Sequence, residues 1–158
     1  MKKMFVVFVL CGLAACGGGG ERDQETSISL EDEVSSFLEA YQAAIDSRDI
    51  NVLRTLYAGD GRFEWVEDGS VRYRSPDDVL AALSGLPPDA PVQTEYEGRT
   101  ITSVGDAGAT VSMRFHTVVG EGPSAFEFGG MMTMVLEKGQ SGWHIISGHT
   151  STPRQGGR

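Results

Sequence analysis

Cysteine is nearly missing from this chain: the 158 residues hold only Cys11 and Cys16, both at the front. Beyond them no disulfide can form, and no thiol is left for nucleophilic, redox or thiolate-metal chemistry. The folded part must therefore be held by an apolar core. A long hydrophobic run is absent too. The stretch from Met4 to Leu10, even extended to Ala15, falls short of the ~20 residues a membrane-crossing helix needs. Basic residues are few, 13 against 22 acidic, for a net charge of −9. Such a chain repels phosphate backbones, so nucleic-acid binding is not expected. No glycine-rich phosphate loop occurs, because the glycines fall in one tract near the front, in turns and in the pair Gly129-Gly130. The three histidines are His116, His144 and His149, too scattered to suggest a metal site.

The front of the chain carries the most specific motif. Lys2 and Lys3 precede a short apolar run that ends in Leu13-Ala14-Ala15-Cys16. A charged start, a brief apolar segment and small residues before a cleavage point make an export signal. The pattern resembles a bacterial lipoprotein signal, which implies cleavage after residue 15 and a lipid on Cys16. Residues 16–28, with Gly17-Gly18-Gly19-Gly20 and a charged stretch, read as a lipidated cysteine and flexible tether. The expected location is the cell envelope, with membrane contact through the anchor. Gly17, where an aspartate would mark inner-membrane retention in some bacteria, points to the outer membrane and a periplasmic domain.

Residues 29–152 read as one domain and 153–158 as a disordered tail. Ser29 with Asp32 three residues on marks a helix start. Val34, Phe37, Leu38, Tyr41 and Ile45 then form one apolar stripe at helical spacing. Asp46-Ser47-Arg48-Asp49 interrupts it, and a short helix with Leu53 and Leu56 follows. Phe63 and Trp65, then Val71 and Tyr73, alternate on either side of Asp68-Gly69, a two-residue hairpin signal. Ser75-Pro76-Asp77-Asp78 opens a third helix running to about Leu83. Four strands are predicted after the proline-rich loop, over about 92–104, 109–119, 125–137 and 143–151. The order α-α-β-β-α-β-β-β-β, with helices clustered before a long antiparallel meander, predicts an α+β fold with helices on one face of a curved sheet. Gly129-Gly130 inside a strand predicts a bulge or sharp bend.

Several of these segments look familiar. Tyr41 to Ile50, the run Leu53-Arg54-Thr55-Leu56-Tyr57-Ala58, Phe63-Glu64-Trp65 ahead of Asp68-Gly69, and the last strand from Trp143 to Ser151 together resemble the SnoaL-like branch of the nuclear-transport-factor-2-like, ketosteroid-isomerase-like superfamily. The resemblance spans nearly the whole domain. It implies a cone, a strongly bent sheet wrapped on three helices with a pocket at the open end. Its members include isomerases, cyclases, dehydratases and non-catalytic ligand-binding or dimerisation modules, so the fold alone does not assign an activity.

The isomerase chemistry of that superfamily uses a carboxylate base with an oxyanion hole built from a tyrosine and a protonated aspartate. Matching residue by residue, Tyr41 takes the tyrosine position, the base falls at Trp65, and the second acid falls at about Met132. Neither indole nor thioether can move the needed proton, so steroid isomerase activity is not expected. Strand alternation predicts that Tyr41, Tyr57, Trp65, Met113, Phe115, Met132, Met134 and His149 converge on the inside of the cone. Such a set makes either an apolar small-molecule pocket or plain core. His149 could serve as a general acid/base, or sit as a buried neutral imidazole. No cofactor is expected. Three functions remain open: a lipid-anchored domain binding a small apolar ligand without catalysis, a homodimeric interaction module pairing through an outer sheet face with Arg99, Arg114, His116 and Glu127, and an isomerase-, cyclase- or hydrolase-type enzyme using His149 with Tyr41 or Tyr57.

Overall fold

The computed structural model describes residues 29–87 and 89–153. The expected signal, the lipid site at Cys16, the tether and residues 154–158 lie outside them. Helix α1 spans Leu30–Ser47. The Ser29 hydroxyl accepts from the Asp32 N–H at 3.1 Å while the Asp32 carboxylate accepts from the Ser29 N–H, closing a capping box. Arg48 ends the helix in the left-handed region, and Asp49 caps α2 (Ile50–Leu56) by accepting from Asn51 and Val52 N–H groups. The hairpin β1 (Glu64–Glu67) and β2 (Ser70–Tyr73) turns on Asp68 and Gly69 at φ 47° and 83°, the two left-handed positions of a type I′ turn. Ser75 and Asp78 box the start of α3 (Pro76–Ser84). Strands β3 (Val92–Val104), β4 (Gly108–Val119), β5 (Phe126–Gly139) and β6 (Gly142–Ser151) follow.

One sheet holds all six strands in the order β2-β1-β6-β5-β4-β3. The predicted all-antiparallel sheet needs one correction, because β1 runs parallel to β6. The hairpin docks as a unit on the free edge of β6, and α3 then carries the chain back toward β3 at the opposite edge. Local periodicity reports that a strand is half buried and is silent on which neighbour it joins. The result is an α+β fold with a mixed, curled sheet wrapped on three helices. Val34 and Leu38 from α1, Leu53 from α2, and Val111, Met113, Met134, Leu136 and Ile145 from the sheet are sealed at its centre.

Three bulges shape the sheet, the first at Arg72 of β2, between the Trp65–Tyr73 and Val66–Val71 pairs. Gly98 and Arg99 stand opposite Met113 between the Glu97–Arg114 and Thr100–Ser112 pairs, with Gly98 at φ 61°. In β6 the extra residue is Ile146, since Val135 pairs with Ser147 and Leu136 with Ile145. That single insertion reverses the face of everything after it. Trp143 and Ile145 point inward on the alternation that would put His149 inside, but Gly148 and Thr150 take over the inner face beyond the bulge. His149 is therefore exposed, on the outside of the sheet, which corrects its predicted place in the cone. Of the bulge or sharp bend expected at Gly129-Gly130, the bulge is absent: both pair in unbroken register with His116 and Phe115. Those glycines serve close backbone approach. A Cβ on Gly129 would lie 2.6 Å from the Phe115 carbonyl oxygen, and one on Gly130 would overlap the Ser151 carbonyl.

Candidate functional site

A cavity of about 370 Å³ opens at one end of the cone. The C-terminal half of α1 supplies Tyr41 and Ile45, α3 supplies Val79 and Leu83, and β1 supplies Trp65 and Glu67. Tyr96 and Thr94 of β3 and Phe115 and Thr117 of β4 form the sheet wall, with Met132 and Thr150 beside them. Phe126 and Phe128 stand half exposed at the mouth, their rings stacked at 6.0 Å.

Of the eight side chains predicted to converge, Tyr41, Tyr57, Trp65, Phe115 and Met132 line this cavity. Met113 and Met134 also face inward, but they are fully sealed and belong to the core rather than to the cavity wall. His149 does not reach it. The alternation of β4 is intact, which leaves Arg114 and His116 outside as expected; the break in β6 removed the histidine.

The polar atoms inside are largely engaged with one another. The buried Tyr57 hydroxyl donates to Tyr41 Oη at 3.3 Å, with the rings edge to face at 6.2 Å. Burial pushes both phenols above their ordinary range, so each stays protonated at any physiological pH. The Trp65 indole N–H donates to Thr150 Oγ1 at 3.4 Å, and the Thr94 and Thr117 hydroxyls share a bond at 3.1 Å. Gly148 lies directly against the Trp65 ring, and a Cβ there would overlap it. The indole thus owes its position to a residue without a side chain.

Two residues escaped the sequence reading. Glu67 lies two positions beyond Trp65, pairs with inward-facing Thr150 and takes its place in the cavity wall. Desolvation pushes its carboxyl up, partly opposed by the Arg72 guanidinium 3.6 Å away. Tyr96 pairs with Phe115 and follows Val92 and Thr94 on the inner side of β3. Burial raises its phenol well above the ordinary range. The period-two alternation that placed Trp65 inside could have flagged both. Asp68 completes the rim and accepts from the Thr152 N–H at 2.8 Å and hydroxyl at 2.7 Å.

Positions 65 and 132, where the isomerase pattern needs acids, hold an indole and a thioether that face the cavity. Among the described residues no three of His, Cys, Asp and Glu come close enough to hold a metal ion. His116 pairs with Glu127 at 3.2 Å on the outer face, and His144 shares a bond with Ser141 Oγ at 3.1 Å. No described helix is long and apolar enough to cross a membrane.

Comparison with solved structures returns the same architecture. A nuclear transport factor 2-like superfamily protein from Salmonella enterica aligns over 80% of this chain and 93% of its own, at 15% identity and a TM-score of 0.68. An NTF2-like protein of unknown function in nutrient uptake from Rhodospirillum rubrum aligns over 77% and 99%, at 24% identity and a TM-score of 0.65. An NTF2-like protein from Cytophaga hutchinsonii aligns over 79% and 99%, at 15% identity and a TM-score of 0.66. At these identities the likeness is one of fold. No curated protein matches the sequence. The SnoaL-like domain model matches residues 34–155, from the first buried position of α1 to beyond the end of β6, and the chain belongs to the SnoaL-like family.

Proposed function

We propose that this domain binds a small apolar molecule in the cone and performs no chemistry on it, while a lipid on Cys16 holds it at the cell envelope. The observation that carries this reading is the cavity itself: about 370 Å³, walled by aromatic and aliphatic side chains, with tryptophan and methionine where an isomerase needs acids. That is the make-up of a ligand site, a mostly apolar enclosure with a few polar groups at fixed points. The His149 route to an enzyme loses its support, because the imidazole lies on the far side of the sheet. The anchoring half of the proposal rests on the lipobox. The first turn of α1, where Glu33 bonds Trp143 at the start of β6, lies away from the mouth, which is near the end of that strand.

A thermal-shift screen of the purified protein against neutral hydrophobic compounds tests the binding half. A ligand held only by the native state at a hundred times its Kd stabilises by about 2.7 kcal/mol. Wild type should respond and Trp65→Ala should not; a response shared by both would place the binding elsewhere.

A second reading has one specific observation behind it. At the centre of the outer sheet face the outward side chains of β4, β5 and β6 are Thr110, Ser112, Thr133, Val135, Ser147 and His149, with no lysine, arginine, aspartate or glutamate among them, in a chain in which those four make up 22%. Arg114, His116 and Glu127 lie toward one end. Depletion of charge at the centre with a charged rim is the signature of a protein interface. Pairing of two copies through this face would show as a concentration-dependent mass in sedimentation.

A further inference from the structure

The wall of the cavity is one-sided in charge. Among its described residues there is no lysine, arginine or histidine, while Glu67 and Asp68 both lie on it. Around them stand four tyrosines, 41, 57, 73 and 96, with Trp65 and two phenylalanines at the mouth. Aromatic faces attract cations and carry no attraction for anions. Asp68 is already held by Thr152, and it shares the rim with Glu67. The Glu67 carboxyl is partly desolvated, and its one cationic neighbour, Arg72, is a bulge residue 63% exposed that also lies over the Tyr73 ring at 5.8 Å. The guanidinium is thus outside the cavity, with its own aromatic partner.

We infer that the cavity selects apolar molecules carrying an amine or other cationic end, seated with the cation at Glu67 among the tyrosine rings, and excludes fatty acids and other anionic amphiphiles. This rests on the ligand-binding reading above and adds the class of ligand. A carboxylate or phosphate entering the same space would meet like charge in a partly dry enclosure, with no cation to receive it. The phenol hydroxyls of Tyr41 and Tyr57 supply hydrogen bonding for a neutral ligand, and they do not offset this preference.

Three anthracene derivatives of matched shape separate the possibilities: 9-aminomethylanthracene, 9-anthracenemethanol and anthracene-9-carboxylate, each titrated by its own fluorescence into the full-length protein at pH 7. The expected order is amine first, alcohol roughly tenfold weaker, and carboxylate weakest. In Glu67→Gln, an isosteric change at a half-exposed side chain, the ratio of amine to alcohol affinity should fall severalfold, the tyrosine rings and Asp68 keeping a remnant of it. In Arg72→Ala the amine should bind more tightly still, since its competitor for Glu67 is gone. Equal binding of all three, or tightest binding of the carboxylate, overturns the charge preference and leaves the pocket standing. An amine preference undiminished in Glu67→Gln assigns the selection to another group and overturns the role of Glu67. Binding of none of the three overturns the pocket reading itself.

Discussion

Replacing Gly148 by alanine reports directly on how β6 sits. By simple alternation from Trp143 inward, Gly148 would face solvent and His149 would face the core. In that arrangement the added methyl is harmless and by restricting the unfolded chain gives about 0.4–1 kcal/mol of stability. With Ile146 bulged, residue 148 faces inward and its Cβ overlaps the six-membered ring of Trp65. The indole cannot retreat freely, because its N–H is bonded to Thr150 Oγ1 and it is 6% exposed. Overpacking of this kind costs about 1–3 kcal/mol. At about 4 °C per kcal/mol for a domain of this size, Tm should fall by roughly 4–12 °C. The assay is a thermal melt in a Trp143→Phe background, which leaves Trp65 as the one emitting indole. Emission should shift as the ring is displaced toward solvent. His149→Ala, measured alongside, should stay within about 0.5 kcal/mol of wild type, as exposed substitutions do. A neutral or stabilising Gly148→Ala, paired with a costly His149→Ala, would refute the bulge and return the imidazole to the cavity.

The remaining predictions concern the core, the tyrosine pair and two carboxylates. Met113→Ala, at a fully sealed position, should cost about 2–5 kcal/mol in denaturant unfolding, against which a change at cavity-lining Met132 should be milder. Tyr57→Phe removes the donor to Tyr41 and should cost about 0.5–1.5 kcal/mol. Glu33 is held below the usual carboxylate range, first by its bond to Lys138 and then by the Trp143 N–H. Its contribution is present above the ordinary glutamate pKa and lost as pH falls through the lowered one, so Glu33→Gln should destabilise at pH 7 and match wild type in strong acid. Glu67 runs the opposite way: desolvation raises its carboxyl, so its ionisation penalises the native state at neutral pH. Glu67→Gln should therefore stabilise at pH 7, with the gain vanishing as pH falls through the raised range, in melts across pH 3–8.

What could be read from the sequence was what local chemistry encodes. Ser29 with Asp32 and Ser75 with Asp78 announce helix starts because the capping bonds close within three residues. Asp68-Gly69 announces its turn because few other pairs tolerate two left-handed conformations. The alternation of β4 places Val111, Met113, Phe115 and Thr117 inside without reference to any neighbour. What stayed hidden is non-local. The parallel union of β1 with β6 depends on where a finished hairpin docks, and neither strand records it. The bulge at Ile146 depends on pairing with Val135 and Leu136 and has no glycine to mark it, so the inward assignment of His149 beyond it was inverted. Glu67 was hidden for a different reason: it obeys the alternation, but a carboxylate in a strand reads as a solvent-facing residue until the cavity behind it is seen.

The most direct measurement is native mass spectrometry of the full-length protein purified gently from its own host. It reads the occupancy of the cone without knowledge of the ligand. A retained molecule of a few hundred daltons, lost in Trp65→Ala and carrying a basic nitrogen, is the expected result. A cone empty in every preparation, in a protein that no member of the amine, alcohol and carboxylate series stabilises, would contradict ligand binding and leave the outer sheet face as the working surface of the domain.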